Sequence, residues 1–474
     1  MTQATTKQSG ADAVQSAAAR GRGGWAALII VLVGVFVTYL DLFIVNVALP
    51  AIGADLHVPT SSVSLVVAAY GLSFAVGMII GGRLGDLHGR RRLFLIGMAG
   101  FTLASAACAF APTITFLVGA RFGQGLAGAL MAPQVLAIVT TTYAGRMRER
   151  AFAGFGLAMG IAGVLGQLVG GLLINANIDG TGWRAIFLIN IPVGLFTLIA
   201  GRRWITESRG PATGLDLPGA ALLALAGSTL VLPLVLGPAH HWPAWTFICL
   251  AICPIVTAGF VVYERRRDRQ GRAPLVAADL LRPKRFRLGV AIGLVFFVPA
   301  SFFFILAIYL QQGRGMTAMQ SGLIFVAVGV GYFAAMRPAM TWVRRLGAKV
   351  ITLGALTTAA GVLLLAATAH VQDAWVLTPG LALVGAGIGL VLVPLAAVVL
   401  ADTPPEHAGA ASGVLNTAQQ IGGATGIALT SLIFTRWGDI ASGFAITLIA
   451  LAGVSILTAA LAATLTMKQH QTHA

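Results

Sequence analysis

Between Arg92 and Arg121 the chain reads LFLIGMAGFTLASAACAFAPTITFLVGA (residues 93–120), with no Asp, Glu, Lys or Arg in it. A helix crossing the hydrocarbon core of a bilayer needs about 20 largely apolar residues. Pro112-Thr113 marks a turn, so the stretch holds most of one span and the start of the next. The same punctuation runs along the whole chain. Charge-free gaps separate Asp55 from Arg83, Arg121 from Arg146, Arg150 from Asp179, Arg287 from Arg314 and Arg314 from Arg337. Others separate Lys349 from Asp373, Asp373 from Asp402, Glu406 from Arg436 and Asp439 from Lys468. The gap from Asp216 to Glu264 is twice as long, and Gly237-Pro238 and Trp242-Pro243 in its middle read as the turn of a helical hairpin. With the runs Trp25–Pro50 and Trp183–Ala200 the expected total is fourteen spans. Nothing alternates polar and apolar residues as membrane strands do, so an all-α polytopic membrane protein is expected.

Composition agrees. Of 474 residues 57% are hydrophobic and 10% charged, where a soluble domain is about a quarter charged. The formal net charge of +16 would suit a nucleic-acid binder, but its distribution argues against one. With the N-terminus inside, Arg184, Arg314 and Arg436 fall outside and Arg121 within the membrane; every other Lys and Arg falls on the cytoplasmic side. That asymmetry is the positive-inside signal of a membrane protein, and it places both termini in the cytoplasm. The three cysteines lie in apolar runs, and no disulfide framework or thiolate metal cage is indicated.

Residues 58–92 align with 316–350 at a constant offset of 258, pairing Gly71 with Gly329 and Gly89 with Gly347. Gly128–Pro133 resembles Gly389–Pro394 at a similar offset. Repeats of this kind are common in transporters. The expected organisation is a disordered cytoplasmic tail (1–24), a six-helix bundle (25–205) and a two-helix insert (206–263). A basic cytoplasmic linker (264–286), a second six-helix bundle (287–467) and a short tail (468–474) follow.

The inner loop after the second span reads Gly81-Gly82-Arg83-Leu84-Gly85-Asp86-Leu87-His88-Gly89-Arg90-Arg91-Arg92, in which glycines permit a tight turn and an acid sits among arginines. It resembles the signature loop of the major facilitator superfamily. Leu40–Pro50, Arg121–Ala129, Trp183–Pro192 and Ser412–Gly423 resemble the first-, fourth-, sixth- and penultimate-span motifs of that superfamily's drug–proton antiporters. The resemblance covers residues 25–467, and the span count matches the fourteen-helix branch. In the fifth span this chain has Gly166-Gln167 where the antiporter motif has Gly-Pro. The small-residue face of Gly163, Gly166 and Gly170 is kept, and the proline's kink is lost.

Asp41 is the only acid, and Arg121 the only base, expected well within a span. Such charges are costly unless paired or hydrated. At about 1.5 Å per residue, Asp41 lies ~14 Å below the outer surface, with Arg121 and Gln167 both at ~12 Å. Asp41 is therefore the expected protonatable coupling site and Arg121 the group that controls its proton affinity, with substrate and proton able to compete for the carboxyl. A static ion pair joining two helices is the alternative. Tyr39, Asn46, Tyr70, Gln124, Gln167, Gln311, Asn416 and Gln420 are the candidate substrate contacts. Asn416 and Gln420 share a helix face at i, i+4. The resemblance implies that Gly82, Gly85, Asp86, Gly89, Arg90 and Arg91 form a conformational latch.

No nucleophile–base pair or metal cluster is visible, no GxxxxGK[ST] loop offers ATP as an energy source, and no cofactor is implied. The resemblance implies a proton-driven exporter of lipophilic or cationic drugs or antibiotics, acting as a monomer in a bacterial inner membrane by alternating access. Its partners are then a small-molecule substrate, protons and lipid. The alternatives are a transporter of the same fold with a dedicated metabolite substrate, importers included, and a lipid-handling membrane protein of another class, in which the two-helix insert would matter most.

Overall fold

In the computed structural model the described residues are 22–143, 145–209, 216–237, 242–271, 283–400, 408–434 and 436–467. Both terminal tails (1–21 and 468–474), the insert's His240-His241 turn and residues 272–282 of the expected linker lie outside them. All regular structure among the described residues is helical. The long helices are α1 (Arg22–Asp55), α2 (Thr60–His88), α3 (Arg90–Ala109), α4 (Ile114–Thr142), α5 (Gly145–Ala176) and α6 (Gly182–Trp204). Next come α7 (Leu217–Leu236), α8 (Ala244–Arg269), α9 (Lys284–Gly313), α10 (Ala318–Leu346), α11 (Lys349–Thr368), α12 (Thr378–Leu400), α13 (Ala408–Phe434) and α14 (Ile440–Met467).

Eleven of these are long and apolar enough to cross a membrane, and α2, bent by 47° near Met78, would make twelve. The expected fourteen goes beyond that. The difference lies in α7, of which Pro218–Leu230 counts as a shorter apolar helix, and in α13, whose hydropathy is diluted by glycines, Gln419 and Gln420. At the expected linker, α8 continues to Arg269, so its first residues are helical.

The two halves repeat one packing scheme. In the first, α2 packs on α4, α3 on α4 and α6, and α1 on α5. In the second, α10 packs on α12, α11 on α12 and α14, and α9 on α13. The 258-residue offset shows in the backbone as well. Gly89 (φ 106°) ends α2 and Gly347 (φ 58°) ends α10, each in a left-handed conformation that favours glycine.

The halves meet along two seams, α5 against α10 and α2 against α13, and the α7–α8 hairpin lies with α7 against α2 and α13. The halves also touch at the Arg-poor face. There Gly171 has no room for a side chain against the Ala318 carbonyl, and Gln311 Nε2 donates to the Val47 carbonyl at 2.8 Å. One buried cluster joins Ile44, Ala48 and Leu49 of α1 to Phe304, Ile305 and Ile308 of α9. Toward the Arg-rich face, two buried clusters stay within the first half, around Val31, Phe94 and Ile138 and around Leu28 and Tyr143.

Candidate functional site

Asp41 and Arg121 form an ion pair, and both side chains are 0% exposed. Each is placed by ordinary helix geometry. The Thr113 side chain caps α4 by accepting from the Phe116 N–H, and two turns later Arg121 projects toward α1, with Gln124 on the same face at i+3. Arg121 NH1 donates to Asp41 Oδ2 and, at 2.7 Å, to Gln124 Oε1. Its Nε donates to the Val66 carbonyl at 3.1 Å. The guanidinium lies over the Tyr70 ring at 4.3 Å, with the Phe187 ring at 5.7 Å. The other carboxylate oxygen, Oδ1, accepts from Gln124 Nε2 at 2.9 Å and from Asn190 Nδ2 at 2.8 Å. Ser105 Oγ accepts from both of these amides, at 2.8 and 3.2 Å. A carboxylate that accepts from a guanidinium and two amides has the partners a dry charge requires.

Asn190 and Ser105 were not singled out from the sequence. Asn190 interrupts an apolar run inside the Trp183–Pro192 motif, which is a usable signal; a serine in a Gly/Ala-rich span gives none. The height of Asn190 is fixed at the turn before it. Trp183 Nε1 and Arg184 NH1 both donate to Asp55 Oδ2, at 2.9 and 2.7 Å, tying the start of α6 to the end of α1.

A cavity lies between the halves, enclosing about 1270 Å³ including its open side. Tyr39, Leu42 and Phe43 of α1 line it, as do Phe296, Phe303, Phe325 and Tyr332 from the second half. Its polar rim is Asn416, Gln419 and Gln420 of α13, with Thr358. Tyr39, Leu42 and Phe43 are i, i+3 and i+4 and so share a helix face, whereas Asp41 points away from it. The ion pair therefore stands behind the wall of the cavity, and Asp41 and Arg121 are not part of the lining.

That placement sorts the expected substrate contacts. Tyr39, Asn416 and Gln420 line the cavity. Gln124 and Tyr70 belong to the ion-pair cage instead. Asn46 shares the cavity-facing register of α1, but its amide turns back to the carbonyls of Leu42 and Phe43 at 3.3 and 3.2 Å. Gln167 does not join Asp41 despite its matching depth. It is 1% exposed and donates from Nε2 to the Phe43 carbonyl at 3.0 Å, holding α5 to α1 where the motif's proline would stand. Gln311 lies in the Arg-poor seam. Asp41 thus lies on the opposite side of α1 from the residues that line the cavity.

The Arg-rich loop is tied down inside the first half. Arg90 NH2 donates to Asp86 Oδ1 at 2.8 Å. The N–H groups of Arg91 and Arg92, orphaned at the start of α3, donate to Glu207 Oε1 and Oε2 at 3.0 and 3.2 Å. Arg90 N–H donates to the Ser208 carbonyl at 2.9 Å. Gly85 and Gly82 face Gln134 and Pro133 of α4, and a Cβ on Gly89 would collide with the Glu207 carboxyl. Glu207, which caps α3 from beyond α6, was not foreseen.

Residues 31–427 match the family described as Major Facilitator Superfamily. The "Probable actinorhodin transporter" of Streptomyces coelicolor is 37% identical over 422 residues, covering 86% of this chain and 72% of that protein. The "Multidrug resistance protein Stp" of Mycobacterium tuberculosis is 34% identical over 411 residues, covering 85% and 74%. The crystal structure of the human organic anion transporter MFSD10 superposes with a TM-score of 0.63 at 17% identity, covering 94% of this chain and all of that one; the likeness is one of fold.

Proposed function

Because this chain belongs to the Major Facilitator Superfamily, we propose that it is a proton-driven exporter of lipophilic or cationic drugs or antibiotics, working by alternating access. Membership makes it a membrane transporter and not an enzyme. Export is supported by relatives whose names read "Tetracenomycin C resistance and export protein" and "Cephamycin export protein CmcT", beside the actinorhodin transporter and the multidrug resistance protein. The observation that carries the energy coupling is the dry Asp41–Arg121 pair behind the α1 wall of the central cavity.

The mechanism follows from what protonation does to that cage. A proton on Asp41 removes the charge that Arg121 neutralises, so the guanidinium must find another partner. The donors from Gln124 and Asn190 must then rearrange around a neutral acid. Asp41 shares α1 with Tyr39, Leu42 and Phe43, and α1 carries part of the closed Arg-poor seam. A change in the cage thereby moves both the cavity wall and the seam, which is how proton and cargo influence each other without touching.

On this reading α7 and α13 also cross the bilayer, giving fourteen spans as two six-helix bundles and a two-helix insert. The protein acts as a monomer in the bacterial inner membrane with both termini cytoplasmic. The Arg-poor face is then external and the closed seam belongs to a cytoplasm-facing state. The Gly82–Arg91 loop is the latch that engages when the Arg-rich face closes. The test is transport in proteoliposomes under an imposed pH gradient. Native protein should accumulate substrate uphill and Asp41→Asn should not, and uphill transport retained by Asp41→Asn refutes the coupling role.

A further inference from the structure

The cavity wall has a chemistry of its own. None of its described lining residues is an Asp, Glu, Lys or Arg. The one acid buried at that depth in α1, Asp41, faces away and has both oxygens engaged by Arg121, Gln124 and Asn190. A cation in this cavity would therefore lose its hydration and gain no counter-charge, and ring faces alone compensate only part of that loss. A flat uncharged molecule meets no such penalty.

The aromatic side chains are arranged to receive one. Phe303 stands at the centre, edge-on to Phe43 at 5.6 Å and stacked with Phe325 at 5.9 Å, and this group joins walls from both halves. Such surfaces favour offset or edge contacts with a further ring system. The side-chain amides of the lining are gathered on one helix face, while the Tyr39, Tyr332 and Thr358 hydroxyls come from other helices. Asn416, Gln419 and Gln420 are i, i+3 and i+4 on α13, and neither glutamine amide makes a hydrogen bond to another described side chain or backbone group. Each amide offers both donor and acceptor.

Resting on the reading of this cavity as the cargo site, we propose that it selects uncharged polycyclic aromatic compounds bearing a carbonyl or hydroxyl edge, and discriminates against cations. The rings lie among the phenylalanines and the polar edge meets α13. This divides the broad lipophilic-or-cationic class in favour of its neutral members.

The test uses a neutral dihydroxyanthraquinone and the same ring system carrying a trimethylammonium side chain. Binding of each to purified full-length protein is followed by ligand fluorescence. The neutral compound should bind more tightly by roughly tenfold or more. Gln420→Leu should weaken it several-fold, and Gln420→Glu should tighten the cationic compound by roughly tenfold, since an acid in the wall supplies the missing partner. Equal or tighter binding of the cation to the native protein overturns the proposal. So does absence of neutral binding while other compounds are still driven uphill by a pH gradient, an outcome that leaves the exporter reading intact. Failure of every compound in a broad panel to respond to the gradient overturns the exporter reading instead.

Discussion

Asp41→Asn is nearly isosteric, yet the cage makes it a severe change. In the native protein Oδ2 accepts from Arg121 and Oδ1 accepts from Gln124 and Asn190. An asparagine must direct its NH₂ toward one of those donor sets, and it leaves Arg121 at 0% exposure without a counter-charge. Removing one member of a buried pair typically costs about 3–5 kcal/mol, while replacing both by neutral groups is often close to neutral. We therefore expect Asp41→Asn and Arg121→Gln each to lose about 3–5 kcal/mol, and the double variant to lose far less than their sum. The measurement is reversible unfolding in mixed micelles, paired with substrate transport in proteoliposomes with and without a pH gradient. The double variant should regain stability without regaining uphill transport, separating the cage's structural role from its coupling role. Additive losses within about 0.5 kcal/mol would refute the reasoning, because independent sites behave that way and a dry ion pair does not.

Three further outcomes follow from other parts of the structure. Asn190→Leu removes one donor to Asp41 and should cost about 1–3 kcal/mol with a reduced rate of gradient-driven uptake into inside-out vesicles; unchanged stability and rate would place Asn190 outside the cage. Gly171→Leu sets a side chain against the Ala318 carbonyl and should wedge the Arg-poor seam open. Its signature is a longer spin-label distance across α5 and α10 together with lost transport, and a native distance distribution contradicts it. Asp439, on the exposed turn before α14, accepts from the Ser442 hydroxyl at 2.7 Å and from its N–H at 2.8 Å, which hold its carboxyl below the usual range. A depressed folded-state pKa stabilises the fold above the unfolded carboxylate range and loses that contribution as pH falls through the folded value. Asp439→Ala should thus melt earlier than native at neutral pH and no earlier near pH ~2; a difference independent of pH contradicts the assignment.

Much of the architecture could be read along the chain. The bilayer forces every buried backbone group into helices, and charge is so costly there that the gaps between charged residues mark the spans. The repeat was legible at Gly89 and Gly347, where a helix ends on a glycine of positive φ and another does so 258 residues on. The count of spans was less secure. α13 packs against α2 and α9, yet its glycines and the amides of Asn416, Gln419 and Gln420 lower its hydropathy.

At the site, sequence alone determined that Asp41 and Arg121 needed partners, since an isolated charge at that depth is prohibitive. It also determined that they were close in height, because helical rise is uniform. Tertiary structure decided which way each side chain turned. Gln167 shares the level of Asp41 but is held by the Phe43 carbonyl, and Asn46 shares the cavity face of α1 but bonds its own helix. Asn190, Ser105 and Glu207 joined their clusters only when α6, α3 and the segment after α6 came alongside. The reason is physical. Depth and hydrophobic period are properties of one helix, whereas the partner that satisfies a buried polar group comes from whichever neighbour packs against it, and that is settled only when the helices meet.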